Sequence, residues 1–247
     1  MLRTSFRLLF CLFFGAILGS SCKNKDASFK ENRPKKPNIV FILADDLGAH
    51  DLSYSGSQYY ETPNIDAIAR EGVEFIQGYA AAQVCSPSRA SVMTGQYTAR
   101  HGVTDWIGAT TGEKWVANHN TKVMPPEYVH TLSDQDITIA EALKQNGYKT
   151  FFAGKWHLGD EPSSPENNGF DINKGGWEVG SPKGGYFAPW DNPKLDYKHE
   201  GENLTKRLAI ETADFISNHK DGPFFAFLSF YAVHGPIETT EAKWNKY

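Results

Sequence analysis

Cys85 and Arg89, four residues apart, are the pair in this sequence best suited to covalent chemistry. The run Cys85-Ser86-Pro87-Ser88-Arg89-Ala90-Ser91-Val92-Met93-Thr94-Gly95 has an early proline and a closing glycine. These bracket a short helix and set Cys85 at its N-terminus. Residues four apart share a helix face, so the Arg89 guanidinium reaches back toward Cys85, and the helix end adds partial positive charge. Together they make a pocket for an anion or an activated oxygen nucleophile, which fits transfer of a negatively charged group. The pair Asp45-Asp46, the segment Lys155-Trp156-His157 and His234 also carry side chains that ligate, protonate or neutralise.

The surrounding pattern must place these groups together. Asn38 to Leu43 is a continuous apolar run that reads as a strand buried on both faces, stopping at Ala44-Asp45-Asp46. Thr62 and Pro63 open a helix that runs through Glu71 to Gly72, and Val73 to Ile76 then reads as extended. Asp136 is a candidate cap for a helix from about Ile137 to Asn146, and Tyr148 to Ala153 reads as a strand leading straight to Lys155 and His157. Leu204, Leu208, Glu211/Thr212 and Phe215/Ile216 trace a helical face, after which Phe224 to Ala232 is a buried strand delivering His234. Helices alternating with apolar strands predict an α/β fold, with a mostly parallel central sheet, helices on both faces and sites at the carboxyl ends of the strands. Asp45, Asp46, Lys155, His157 and His234 all fall at such ends.

Composition bounds the rest. With 40% hydrophobic and 22% charged residues over 247, the chain has the make-up of a globular protein, and its net charge of -4 argues against a nucleic-acid partner. Residues 1–21 read as an export signal, with Arg3 and Arg7 before the apolar stretch Leu8 to Leu18 and small residues before Cys22. That stretch is too short to span a bilayer core, which needs about 20 residues. Cys22 is a candidate lipid anchor, the only route to a membrane, although Gly19 stands where a lipobox carries an aliphatic residue. Residues 22–36 read as a flexible tether and residues 37–247 as the folded part. Of the three cysteines, Cys11 would leave with the signal and Cys22 would carry lipid, so Cys85 has no disulfide partner.

Cys85-Ser86-Pro87-Ser88-Arg89 matches the Cys-x-Pro-x-Arg signature of type I sulfatases, of the alkaline phosphatase superfamily. The chain resembles that family in four further segments: Ala90 to Gly95, Asp45-Asp46, Gly154-Lys155-Trp156-His157-Leu158-Gly159 and His234-Gly235-Pro236. The resemblance implies a sulfuric ester hydrolase of the bacterial arylsulfatase or carbohydrate sulfatase kind. In it a formylglycine-generating enzyme oxidises Cys85 to formylglycine, whose hydrate attacks sulfur. It also implies bound Ca²⁺ held by Asp45, Asp46 and residue 85, since calcium takes about 6–8 oxygen ligands. By the same comparison Arg89 and His157 steady the hydrate, Lys155 binds a sulfate oxygen, and His234 sits near the sulfate and leaving group. The expected substrate is a sulfated glycan or aryl sulfate. The expected location is the periplasm or, as a lipoprotein, the outer membrane of a Gram-negative bacterium.

Singly, each residue has a plainer account: Asp45-Asp46 as a turn, Arg89 and Lys155 as solvated charges, His157 and His234 as core histidines. Their joint order around Cys-x-Pro-x-Arg favours the site. A formylglycine-dependent phosphonate or phosphodiester hydrolase and a non-catalytic lipoprotein that binds sulfated glycans are the alternatives. His101, His119, His130, His199 and His219 belong to no shared set, and Asn203-Leu204-Thr205 reads as an incidental sequon. The aromatic-rich stretch from Gly175 to Trp190 reads equally as a substrate-facing loop or as packing. Family members are longer and draw further metal and sulfate ligands from beyond His234, so the chain reads as an N-terminal part whose isolated form is expected to be inactive or barely stable.

Overall fold

The computed structural model describes residues 36–247. The signal, Cys22 and the tether up to residue 35 lie outside the described residues. The folded unit begins at Pro37. In chain order its regular elements are β1 (Ile39–Leu43), α1 (Pro63–Glu71), α2 (Cys85–Thr94), α3 (Thr98–His101), α4 (Gly112–Asn118), α5 (Ile139–Gln145), β2 (Lys149–Gly154), β3 (Ile172–Lys174), α6 (Leu204–His219), β4 (Phe224–Ser229) and α7 (Glu241–Trp244). The strands form one parallel sheet in the order β1-β4-β2-β3. Leu43 and Gly154 both pair with Ser229, so the strand ends that precede Asp45, Lys155 and His234 lie level at one edge.

Side chains alternate across β2 and β4, so each face of the sheet presents its own apolar set. Phe151, Ala153, Ala226 and Leu228 pack against Leu204, Leu208 and Phe215 of α6. Phe152, Phe225 and Phe227 on the other face meet Ala90 and Met93 of α2, Ala140 of α5, Trp156 and Phe170. Helices thus cover both faces, as the strand–helix alternation predicts.

Four local expectations need correction. The strand from Asn38 is not buried on both faces: among the described residues little packs over the face of β1 that carries Val40 and Ile42, which stand 46% and 56% exposed. Val73 to Ile76 forms no strand: Val73, Phe75 and Ile76 are each over 80% exposed, with no ladder neighbour to hold them. Asp136 does not cap α5. Thr138 does, accepting from the Glu141 amide at 3.1 Å while Glu141 accepts from the Thr138 amide at 2.8 Å. That capping box satisfies two orphan N–H groups at once, and Asp136 instead accepts from Gln96 at 2.8 Å. β4 leaves the ladder at Ser229 rather than continuing to Ala232.

Packing also accounts for much of the aromatic stretch. Tyr186 and Trp190 are 6% exposed in the α6-side core, and the Trp190 indole donates to the Leu195 carbonyl at 2.8 Å. Asn203 caps α6 by accepting from the Lys206 amide at 2.9 Å, so the sequon asparagine has a structural task.

Asp171 fastens β2 to the loop before β3. Burial raises its carboxyl, but Lys144, the Thr150 amide and Lys149 more than offset this and bring it down to about 2. A folded-state value below the unfolded 3.8 adds stability above pH 4, which is lost as pH falls toward 2. Asp171→Asn is therefore expected to cost about 1–2 kcal/mol at pH 7, and urea unfolding should show the gap to wild type closing between pH 4 and 2. A gap that persists at pH 2 would place the effect elsewhere.

Candidate active site

Three strand ends build the site. Beyond β1, the Asp45 amide donates to Ala232 O at 2.9 Å and Asp45 O accepts from the Val233 amide at 2.7 Å. This two-bond clamp ties the segment after β1 to the segment after β4 and brings Asp45, Asp46 and His234 together. Ligand atoms of these three lie within 4.8 Å of one another. Asp46 takes φ 59°, a left-handed conformation that Asp adopts more readily than most residues.

Lys155 enters from the end of β2, where Gly154 has φ 103° and a Cβ would stand 1.8 Å from Ser229 O. Only glycine permits that approach, and with it the Lys155 amide donates to Ser229 O at 2.8 Å. The Lys155 side chain is fully buried, and its ammonium lies 2.5 Å from Asp45 Oδ2. Arg89, one turn along α2 from Cys85, donates from Nη2 to Asp45 Oδ1 at 2.7 Å. Its Nη1 donates to Lys155 O and Ser229 Oγ, both at 2.6 Å. Burial raises the Asp45 carboxyl, but Arg89 and then Lys155 outweigh it and hold the group below its usual range, fully ionised at neutral pH.

His157 sits at φ 56°, with its amide bonded to Trp177 O at 3.1 Å. Its Nε2 faces Ile107 O at 2.9 Å; a carbonyl only accepts, so Nε2 carries the proton and Nδ1 is left as a buried acceptor with no protein partner. Burial, reinforced by Lys155 and Arg89, lowers this imidazole to about 4, so it is neutral at physiological pH. Gly180 allows the ring its place, since a Cβ there would lie 2.3 Å from His157 Cε1. His234 is half-buried, and its carbonyl accepts from Tyr186 OH at 2.7 Å.

Cys85, Asp46, His157 and His234 line one open cleft of about 1010 Å³. Cys85 is a free thiol at the cleft, half-buried at the N-terminus of α2. A neighbouring cavity of about 280 Å³ is shared by Asp45, Asp46, Cys85 and Arg89. Lys155 differs from expectation: it lies beneath the cleft, committed to Asp45, rather than on its lining. Sequence reasoning missed Ser229, which bonds the Arg89 guanidinium, and the cleft residues Trp106 and His130. No periodicity marks them; only the three-dimensional closure of their loops does.

The donor set fits a hard divalent cation. Asp45 and Asp46 offer carboxylate oxygens, which such ions prefer, while the His234 imidazole suits them less well as a ligand than as a neighbour.

Comparisons with known proteins agree with this arrangement. The sulfatase family model matches residues 37–247. N-acetylgalactosamine-6-sulfatase of Canis lupus familiaris is 35% identical over 228 residues, covering 83% of this chain and 41% of that protein. The chain thus spans about two fifths of the length of the curated relatives it matches. Among solved structures, Ps i-CgsB in complex with k-i-k-neocarrahexaose superposes with a TM-score of 0.68 at 28% identity, over 86% of this chain and 48% of that one. BT4656 in complex with its substrate D-glucosamine-2-N,6-O-disulfate superposes with a TM-score of 0.59 at 27% identity, over 81% and 35%. With the Cys-x-Pro-x-Arg helix at the head of its cleft and a family match running from Pro37 to Tyr247, the chain belongs to the sulfatase family.

Proposed function

We propose that this protein is a sulfatase that hydrolyses sulfate esters of carbohydrates, with Cys85 converted to formylglycine by a maturating enzyme and Ca²⁺ held by Asp45 and Asp46. The observation that carries this reading is Cys85 at a helix N-terminus on an open cleft, above the buried Arg89–Asp45–Lys155 cluster. The names of the relatives and the sulfated sugar bound to BT4656 support the substrate class. Formylglycine would supply the oxygen nucleophile and the cation would polarise it and the sulfate.

The chain's own residues do the rest. Two cations against one carboxylate leave net positive charge under the nucleophile, where negative charge gathers during sulfuryl transfer. His157, neutral and with Nδ1 unprotonated, accepts a hydrogen bond or a proton beside residue 85. His234 stands where a leaving sugar oxygen would pick up a proton. The readings of residues 1–21 as an export signal and of Cys22 as a lipid anchor support a location at the periplasm or outer membrane, where external glycans are met.

The test is side-by-side turnover of sulfate and phosphate esters by the matured full-length parent protein, with and without a calcium chelator. Sulfate esters should be cleaved faster, and chelation should remove the activity until Ca²⁺ is restored. Faster phosphate or phosphonate cleavage would move the enzyme to the neighbouring hydrolase class. Glycan binding without hydrolysis, with an intact thiol at residue 85, would make it a binding lipoprotein.

A further inference from the structure

The cleft is at the upper end of the range of about 300–1,000 Å³ that holds a drug-sized ligand, so it has room for much more than a sulfate group. Beside the Cys85 end, where the Ile107 amide donates to Ser86 Oγ at 3.0 Å, the lining adds a large aromatic ring, and acidic side chains complete it. Trp106 is 44% exposed on that lining, yet its backbone is fixed: its carbonyl accepts from Tyr128 OH at 2.6 Å and from the Ala109 amide at 2.9 Å. Gly108 makes space for the indole, because a Cβ there would stand 2.8 Å from Trp106 Cζ3. His130, also on the lining, stacks on Tyr128 with ring centroids 4.2 Å apart. An exposed indole on a pinned loop is a platform suited to the apolar face of a pyranose.

Besides Asp46, the acidic side chains on the cleft lining are Asp160 and Glu178, both exposed, and neither has an ion-pair partner among the described residues. No lysine or arginine lines the cleft among the described residues. Among the described residues, the positive charge of the site lies in the buried Arg89–Asp45–Lys155 cluster, while the cleft lining carries acidic side chains. Carboxylates accept hydrogen bonds from sugar hydroxyls and repel a second anionic substituent.

Resting on the sulfatase reading above, we infer that Trp106, Asp160 and Glu178 form a ring-binding subsite that selects a sugar carrying a single sulfate over one bearing a second sulfate or a carboxylate. This preference differs from the disulfated sugar bound to BT4656.

The experiment measures kcat/KM of the matured full-length parent protein on hexose and N-acetylhexosamine monosulfates, the corresponding disulfates, and p-nitrophenyl sulfate. The wild type should favour the best monosulfate over its disulfate at least about tenfold, a difference of about 1.4 kcal/mol. Asp160→Asn with Glu178→Gln should narrow that ratio several-fold, chiefly by lowering KM for the disulfate. Trp106→Ala should raise KM for the sugar more than for p-nitrophenyl sulfate. All three side chains are exposed, so the variants should melt with the wild type. A disulfate cleaved as well as its monosulfate, a ratio unmoved in the double variant, or turnover of p-nitrophenyl sulfate with no sugar accepted would each overturn the subsite. Failure on every sulfate ester would instead sink the sulfatase reading on which it rests.

Discussion

Cys85→Ala is expected to lower aryl sulfate turnover by about 10⁴-fold or more, the scale seen when a covalent nucleophile is removed and the rest of a site is kept. The side chain is half-buried at a helix start and bears no load in the hydrogen-bond network beneath it, so the variant should fold like the wild type. Mass spectrometry of the peptide holding residue 85 provides the companion measurement. In active wild-type protein that residue should have lost its sulfur for an aldehyde oxygen. Full activity with the thiol intact would remove the formylglycine mechanism.

Asp45→Asn should produce the largest stability loss of any single change at the site. The carboxylate is 6% exposed and faces Arg89 at 2.7 Å and Lys155 at 2.5 Å. Asparagine keeps the shape and deletes the charge, leaving a fully buried ammonium and a buried guanidinium uncompensated. Breaking a buried pair in this way costs about 3–5 kcal/mol. The pH dependence has a definite sign. The folded-state carboxyl lies below its ordinary value of 3.8, so its contribution is complete above that pH and fades as pH falls through the folded value. Denaturation midpoints of wild type and variant should therefore be far apart at pH 7 and converge in acid. Asp46→Asn is the contrast: Asp46 is exposed, and asparagine tolerates its left-handed backbone, so the melt should stay in place while calcium-dependent activity falls. Equal melts for Asp45→Asn and wild type at pH 7 would show that the cluster carries no net stabilisation.

The sequence was informative where local chemistry is dense. The helix from Cys85 to Gly95 is bracketed by its own proline and glycine, and β2, α6 and β4 follow from apolar patterning that the sheet then buries. The candidate site residues stand out in the sequence because strand ends collect them, and the structure puts Asp45, Asp46 and His234 within ligand reach of one another. What escaped depends on distant partners. The exposed face of β1 reflects what packs over it, which no property of Ile39–Leu43 encodes. The choice of Thr138 over Asp136 as cap turned on a reciprocal bond to Glu141. Lys155 looks solvent-seeking in sequence; its inward course follows from a left-handed glycine and a carboxylate 110 residues away.

The strand order β1-β4-β2-β3 also has a kinetic meaning. β4 stands between β1 and β2, yet Phe225 follows its β1 partner Ile39 by 186 positions. As the polypeptide leaves the ribosome, β2 can pair with β3, but β1 has no neighbour to zip onto until that late segment arrives. Assembly governed by such distant pairings is slow. Ser229 and the Ala232–Val233 carbonyl and amide arrive with the same late segment, so during synthesis the Cys85 segment emerges well before Ser229, which bonds Arg89, and before the clamp on Asp45 can close.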